Sequence, residues 1–217
     1  MTPPETLWTR SAQDLLDATS SRQPTPGGGS VAALGGAFGT GLVAMAARIS
    51  LHKAHKAGQT PDPALTAAPD TLEEVQGRLQ RLADEDVAVF RGYVDATRLP
   101  RSTEEEKAKR RAALDRAGEA ARAAPLGTAQ ACVEALELAG STLPHTHPEV
   151  ISDVGAGAAL LRGALEAALL TLDINLRHLE AGEGTRLRAQ RDNLSARGEA
   201  LAAEVVRRTR EAIAGNA

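Results

Sequence analysis

An aspartate stands where the sequence pattern calls for an apolar residue. Apolar side chains recur at Leu72, Val75, Leu79, Leu82, Val89 and Tyr93 in a heptad-like stripe, and the step of seven from Leu72 through Leu79 lands on Asp86. A carboxylate on the packed face of a helix is costly unless it is paired, hydrogen-bonded or protonated. Two readings are open: a structural aspartate that caps or pairs with another helix, or an acid–base group in a cleft. Asp84 and Glu85 fall off the stripe and are expected in solvent.

The second chemical feature is Gly27-Gly28-Gly29-Ser30, which follows Pro24 and Pro26 and opens a stretch without charge as far as Ala47. A glycine run feeding a helix leaves backbone N–H groups free for an anion or a polar ligand atom, and lets that group approach closely. Ser30 is suited to cap the helix. A flexible linker is disfavoured, because the segment that follows is the most apolar in the chain and must be packed. Gly27, Gly29 and Ala32 formally fit a dinucleotide fingerprint, but that motif needs a preceding strand, and proline and helix precede it here. No glycine-lysine-serine/threonine loop is present either.

Other polar groups carry weaker signals. Lys53 and Lys56, interleaved with His52 and His55, read either as a solvated basic helix end or as a dock for an anionic substrate tail. Neither that histidine pair nor His145 and His147 has the supporting ligands of a metal motif, so no metal is expected. Ser152 and Asp153 suit a helix start as cap and first-turn acid. Asn175 ends a face of small residues (Gly157, Ala164, Ala168, Thr171), where it makes either an interhelical hydrogen bond or a ligand contact.

The elements that must position these groups are helices. Alanine and leucine dominate and no period-two run suggests a strand. The spacing predicts about seven helices: Thr9–Thr19; Ser30–Lys56; Thr71 to about Leu99, opened by a Thr71/Glu74 capping box; Thr103–Pro125, opened by a Thr103/Glu106 box; Thr128–Ala139; Ser152–Glu180; and Thr185–Ala214. Short loops and the lack of a repeat favour one all-α antiparallel bundle spanning residues 1–217 as a single domain.

Composition narrows the function. A net charge of −3 and only 2% aromatic residues argue against nucleic-acid binding. Cys132 is the sole cysteine, so no internal disulfide can form and a reducing, cytoplasmic setting is expected. The N-terminus lacks the layout of a secretory signal. The apolar stretch from Gly27 to Ala47 is rich in glycine and alanine, which drives membrane insertion poorly, so a buried soluble helix is expected and no membrane partner.

Taken together, the segments Pro24–Ser50, Leu82–Pro100, Ala120–Leu126 and Val150–Leu176 resemble the cyclodeaminase/cyclohydrolase family, the C-terminal domain of formiminotransferase-cyclodeaminase and its stand-alone bacterial homologues. The resemblance runs from about Leu15 to Leu176. It implies an all-helical bundle that forms a homodimer, acts on a tetrahydrofolate one-carbon derivative and needs neither a metal nor a tightly bound cofactor. One family activity closes 5-formimidoyltetrahydrofolate to 5,10-methenyltetrahydrofolate with loss of ammonia; the other hydrolyses the methenyl bridge. A non-catalytic folate-binding or helical interaction protein is the remaining alternative. The family's aspartate falls on Asp86, and an acid on an apolar stripe beside a glycine-capped helix points to it as the acid–base catalyst; Gly27, Gly28, Gly29 and Ser30 are expected to place the pterin or glutamate portion, and Lys53 and Lys56 to attract carboxylates. Ser152, Asp153 and Asn175 match retained family positions. His147 and Thr171 stand where the family commonly has asparagine.

Overall fold

The computed structural model describes residues 6–177, 179 and 182–215. Among these residues there are six α-helices and no strand: α1 (Ala12–Thr19), α2 (Gly28–Lys56), α3 (Pro63–Thr97), α4 (Glu104–Thr142), α5 (Ile151–Leu176) and α6 (Glu183–Gly215). Single 3-10 turns precede α1 at Leu7–Thr9 and bridge α4 to α5 at Leu143–His145 and Pro148–Val150. The expected end of the sixth segment, Glu180, lies outside the described residues.

The helix count differs from the sequence expectation because α4 runs through Pro125 instead of stopping there. Proline lacks an N–H and so strips Ala121 of its normal acceptor role. The side chain of Asn175 takes over, donating from Nδ2 to the Ala121 carbonyl at 2.8 Å and to the Thr171 carbonyl at 3.0 Å. A rescue of this kind comes from another helix and leaves no local mark beside the proline.

Other boundaries moved for similar reasons. The α3 helix starts at Pro63, with Asp62 Oδ1 accepting from the Ala64 N–H at 2.8 Å, and passes through Pro69. Proline is well suited to a first helical position. Thr71 therefore lies inside the helix, where its hydroxyl donates to the Ala67 carbonyl, and caps nothing. The Thr103/Glu106 box forms as expected. Gly27, not Ser30, is the N-cap of α2, and Ser152 falls within the first turn of α5.

One main core joins α2 to α6, with Leu72, Val75, Leu79, Leu136, Leu161 and Leu172 removed from solvent. Each such burial contributes on the order of 1.5–3 kcal/mol. The small-residue faces allow backbones to meet. A β-carbon on Gly157 would stand 2.7 Å from the Gly39 carbonyl, and one on Gly39 would stand 2.9 Å from the Gly157 carbonyl, which fixes the crossing of α2 and α5. Two stretches are long and apolar enough to cross a membrane by length and composition, Gly28–Lys56 and Pro148–Leu176, and their most apolar windows are 67% and 50% buried. The first matches a core helix; the second keeps an apolar outer face.

Candidate active site

The glycine run and the misplaced aspartate satisfy each other. The first turn of α2 presents unpaired N–H groups, and the carboxylate of Asp86 arrives from α3 to meet them. Oδ2 of Asp86 accepts from the Ser30 N–H at 2.9 Å and from the Ser30 hydroxyl at 2.6 Å. Ser30 is fully buried, whereas Asp86 is only half-buried. Asp86 therefore marks the point where the α3 stripe leaves the core: Leu72, Val75 and Leu79 are enclosed, while Tyr93, two turns beyond, is 46% exposed.

Gly29 makes the approach possible. A β-carbon there would stand 2.7 Å from Cγ of Asp86 and nearer still to Oδ1. Glycine is thus needed for close approach and not for a left-handed backbone, since Gly27 has φ −106° and positive φ occurs only at Gly58 and Gly182 among the described residues. Among these residues no hydrogen bond holds Oδ1. The carboxylate is thus anchored through one oxygen.

A cleft of about 520 Å³ opens over this pair. Pro24, Thr25, Gly27, Gly28 and Gly29 form one wall, and Asp86, Val89, Phe90 and Tyr93 of α3 form another. Gly118, Ala121 and Arg122 of α4 close a third side, with Thr171, Ile174 and Asn175 of α5 on the fourth. Thr171 Oγ1 lies 3.6 Å from where a Gly28 β-carbon would be, so the departure at this position faces the glycine loop directly.

Of the expected site residues, Gly27, Gly28, Gly29, Ser30, Asp86 and Asn175 gather here. Lys53, Lys56, Ser152 and Asp153 do not. Lys53 is 25 residues from Gly28 along a continuous helix, about 38 Å at 1.5 Å per residue. Ser152 and Asp153 sit at the opposite end of α5 from Asn175, about 33 Å away by the same measure. Lys53 and Lys56 line a second cleft with Ser50, His145 and His147. Lys53 donates to Glu149 at 2.6 Å, and this ammonium holds the Glu149 carboxyl below the usual carboxylate range. Within one chain, these lysines cannot serve a ligand seated on Asp86.

Asp84 also departs from expectation: its Oδ1 accepts from the Leu7 N–H at 2.7 Å and fastens the N-terminal turn to α3. Phe90, Arg122 and Thr171, none of them expected at the site from sequence, also line the cleft, as does Tyr93 of the apolar stripe. A usable signal existed, because Phe90 and Tyr93 are two of the chain's four aromatic residues and lie within two turns of Asp86. Among the described residues no three histidine, cysteine, aspartate or glutamate side chains gather as metal ligands.

The arrangement is a helical bundle with a carboxylate docked on a glycine-rich helix start beside a cleft lined by Phe90 and Tyr93, a setting in which a carboxylate can exchange protons with a bound ligand. The sequence profile of formiminotransferase-cyclodeaminase matches residues 11–191, and the chain belongs to that family. It is 32% identical over 168 residues to a protein named methenyltetrahydrofolate cyclohydrolase from Methylorubrum extorquens, covering 77% of this chain and 80% of that one. It is 27% identical over 173 residues to formimidoyltransferase-cyclodeaminase of Gallus gallus, of which it spans only 32%. Its fold matches the crystal structure of formiminotetrahydrofolate cyclodeaminase from Thermotoga maritima with a TM-score of 0.73 at 20% identity, covering 96% of this chain and 98% of the other.

Proposed function

We propose that the cleft binds a tetrahydrofolate carrying a one-carbon unit, and that the enzyme closes 5-formimidoyltetrahydrofolate to 5,10-methenyltetrahydrofolate with release of ammonia. The observation that carries this reading is the half-anchored carboxylate of Asp86. N10 of the folate attacks the formimidoyl carbon and must lose its proton; the amine on that carbon must gain one before it leaves. One carboxylate oxygen reaching both nitrogens in turn performs both transfers, while Ser30 keeps the other oxygen fixed. Phe90 and Tyr93 offer flat apolar surface to the ring systems, and Gly27–Gly29 let the ligand lie against backbone. No oxidation occurs, so no redox cofactor is required.

Hydrolysis of the methenyl bridge is the second reading. It is favoured by the similarity to the M. extorquens cyclohydrolase, which this chain matches over most of both lengths. The same carboxylate would then take a proton from water. Supplying the purified protein with each folate separately distinguishes the two. Ammonia release from the formimidoyl compound supports cyclodeamination, hydrolysis of the methenyl compound alone supports the second reading, and inertness to both overturns the assignment.

The homodimer is part of the same proposal. Val31, Phe38 and Met45 recur every seven residues on α2 and are 39–59% exposed. Leu160, Leu170 and Ile174 form an adjacent exposed stripe on α5, at 46–59%. A β-carbon on Gly39 would meet Leu160, which makes the two stripes neighbours. A second copy of the chain would cover this surface, since contiguous exposed apolar side chains mark interaction sites and a twofold dimer uses the same patch on both subunits.

A further inference from the structure

Arg122 has no role in the proton transfers, yet it is the one cationic side chain lining the cleft among the described residues, as Asp86 is its one anionic side chain. Its side chain is only 15% exposed. The guanidinium lies over Gly118, with Nη1 3.2 Å from where a β-carbon there would stand. An arginine enclosed to this degree normally carries several strong bonds. Among the described residues this one has a single loose contact, from Nη2 to Oε1 of Glu183 at 3.5 Å, and Glu183 is 51% exposed.

We infer that Arg122 anchors a carboxylate of the substrate's glutamate moiety, and that Glu183 occupies that position until the substrate displaces it. The inference rests on the folate reading above. The pterin and aminobenzoyl groups of a folate are uncharged, so its glutamate carboxylates are the groups that a guanidinium selects, and bidentate pairing suits the fork of arginine. Seating the reacting nitrogens at Asp86 and the aromatic portion on Phe90 and Tyr93 leaves Arg122 for the charged end. The weak pair with Glu183 gives a neutralised resting state that is cheap to open.

The test uses opposite signs. Arg122→Gln raises KM for the glutamyl substrate about 10- to 100-fold with kcat within about twofold, the range expected for a lost charge-assisted contact. It leaves KM unchanged for the same folate whose glutamate is replaced by a neutral methylamide. Glu183→Gln lowers KM for the glutamyl substrate, because a competitor has been removed. Arg122→Lys, with thermal melting checked alongside, keeps a charge and gives an intermediate KM. Equal effects of Arg122→Gln on both substrates, or a rise in KM from Glu183→Gln, overturn the anchor. Wild-type protein inert to every folate overturns the functional reading itself, which is a different result.

Discussion

Gly29 and Asp86 occupy the same small volume: the carboxylate lies where any other residue at position 29 would place its β-carbon, 2.7 Å from Cγ. The glycine run and the aspartate are therefore one device, split between α2 and α3 and separated by 56 residues at the Ser30 contact.

Gly29→Ala tests the device without removing any functional atom. Alanine favours a helix over glycine by about 0.5–1 kcal/mol, but overpacking costs typically 1–3 kcal/mol, and here the carboxylate must also leave Ser30. The expected result is a small net loss of stability by denaturant titration and at least about a tenfold fall in kcat, as for a misplaced acid–base group.

Asn175 and Pro125 are expected to be coupled. Removing the amide in Asn175→Ala strands the Ala121 carbonyl and costs about 1–3 kcal/mol. Pro125→Ala returns a helical N–H to that carbonyl. In the Pro125→Ala background the Asn175→Ala cost shrinks, and a double-mutant cycle by urea unfolding reads the coupling directly.

These two cases show what was legible in the sequence and what was not. The stripe that ran through Asp86, the glycine start of α2 and the Thr103/Glu106 box are local patterns, and each led to the right helix. The continuity of α4 was not legible, because the group that repairs Pro125 sits on α5, 50 positions further along the chain. Lys53 and Lys56 stood out by their charge, and Ser152 and Asp153 by matching family positions, but neither signal reports distance from Asp86. Helix length then separates them, since 25 residues of α2 cannot fold back on themselves. Arg122 lies in the family-like segment Ala120–Leu126, but its side-chain type reads like any of the chain's many arginines; its enclosure over Gly118 is what sets it apart.

Cys132 is fully buried, and burial pushes its thiol from 9.0 up to about 12. The native protein should resist alkylation by iodoacetamide at pH 8 and react once unfolded, as followed by mass spectrometry. The linkage sign is also fixed. The folded state holds the proton more tightly than the unfolded chain, so this group's contribution is intact below about pH 9 and is lost as pH rises toward about 12. A Cys132→Ala variant removes that part of the alkaline decline.

The outer face of α5 is expected to hold a second copy. Leu170 is 59% exposed and belongs to neither main core cluster. Leu170→Glu should convert a dimer into a monomer in sedimentation equilibrium while the helical circular dichroism signal is retained; a wild-type protein that is already monomeric at micromolar concentration contradicts this part of the account.

The central claim is that Asp86 moves the proton. The most direct measurement is the kcat of Asp86→Asn on whichever folate the wild-type protein turns over, with thermal melting as the control for folding. Asparagine keeps the shape and can still accept from Ser30, but it cannot exchange a proton. The account predicts a fall in kcat of about 10²–10⁴-fold, the usual worth of a positioned acid–base group, in a protein that melts cooperatively like the wild type. Turnover within a few-fold of the wild-type value would contradict it and leave Asp86 as a cap for α2.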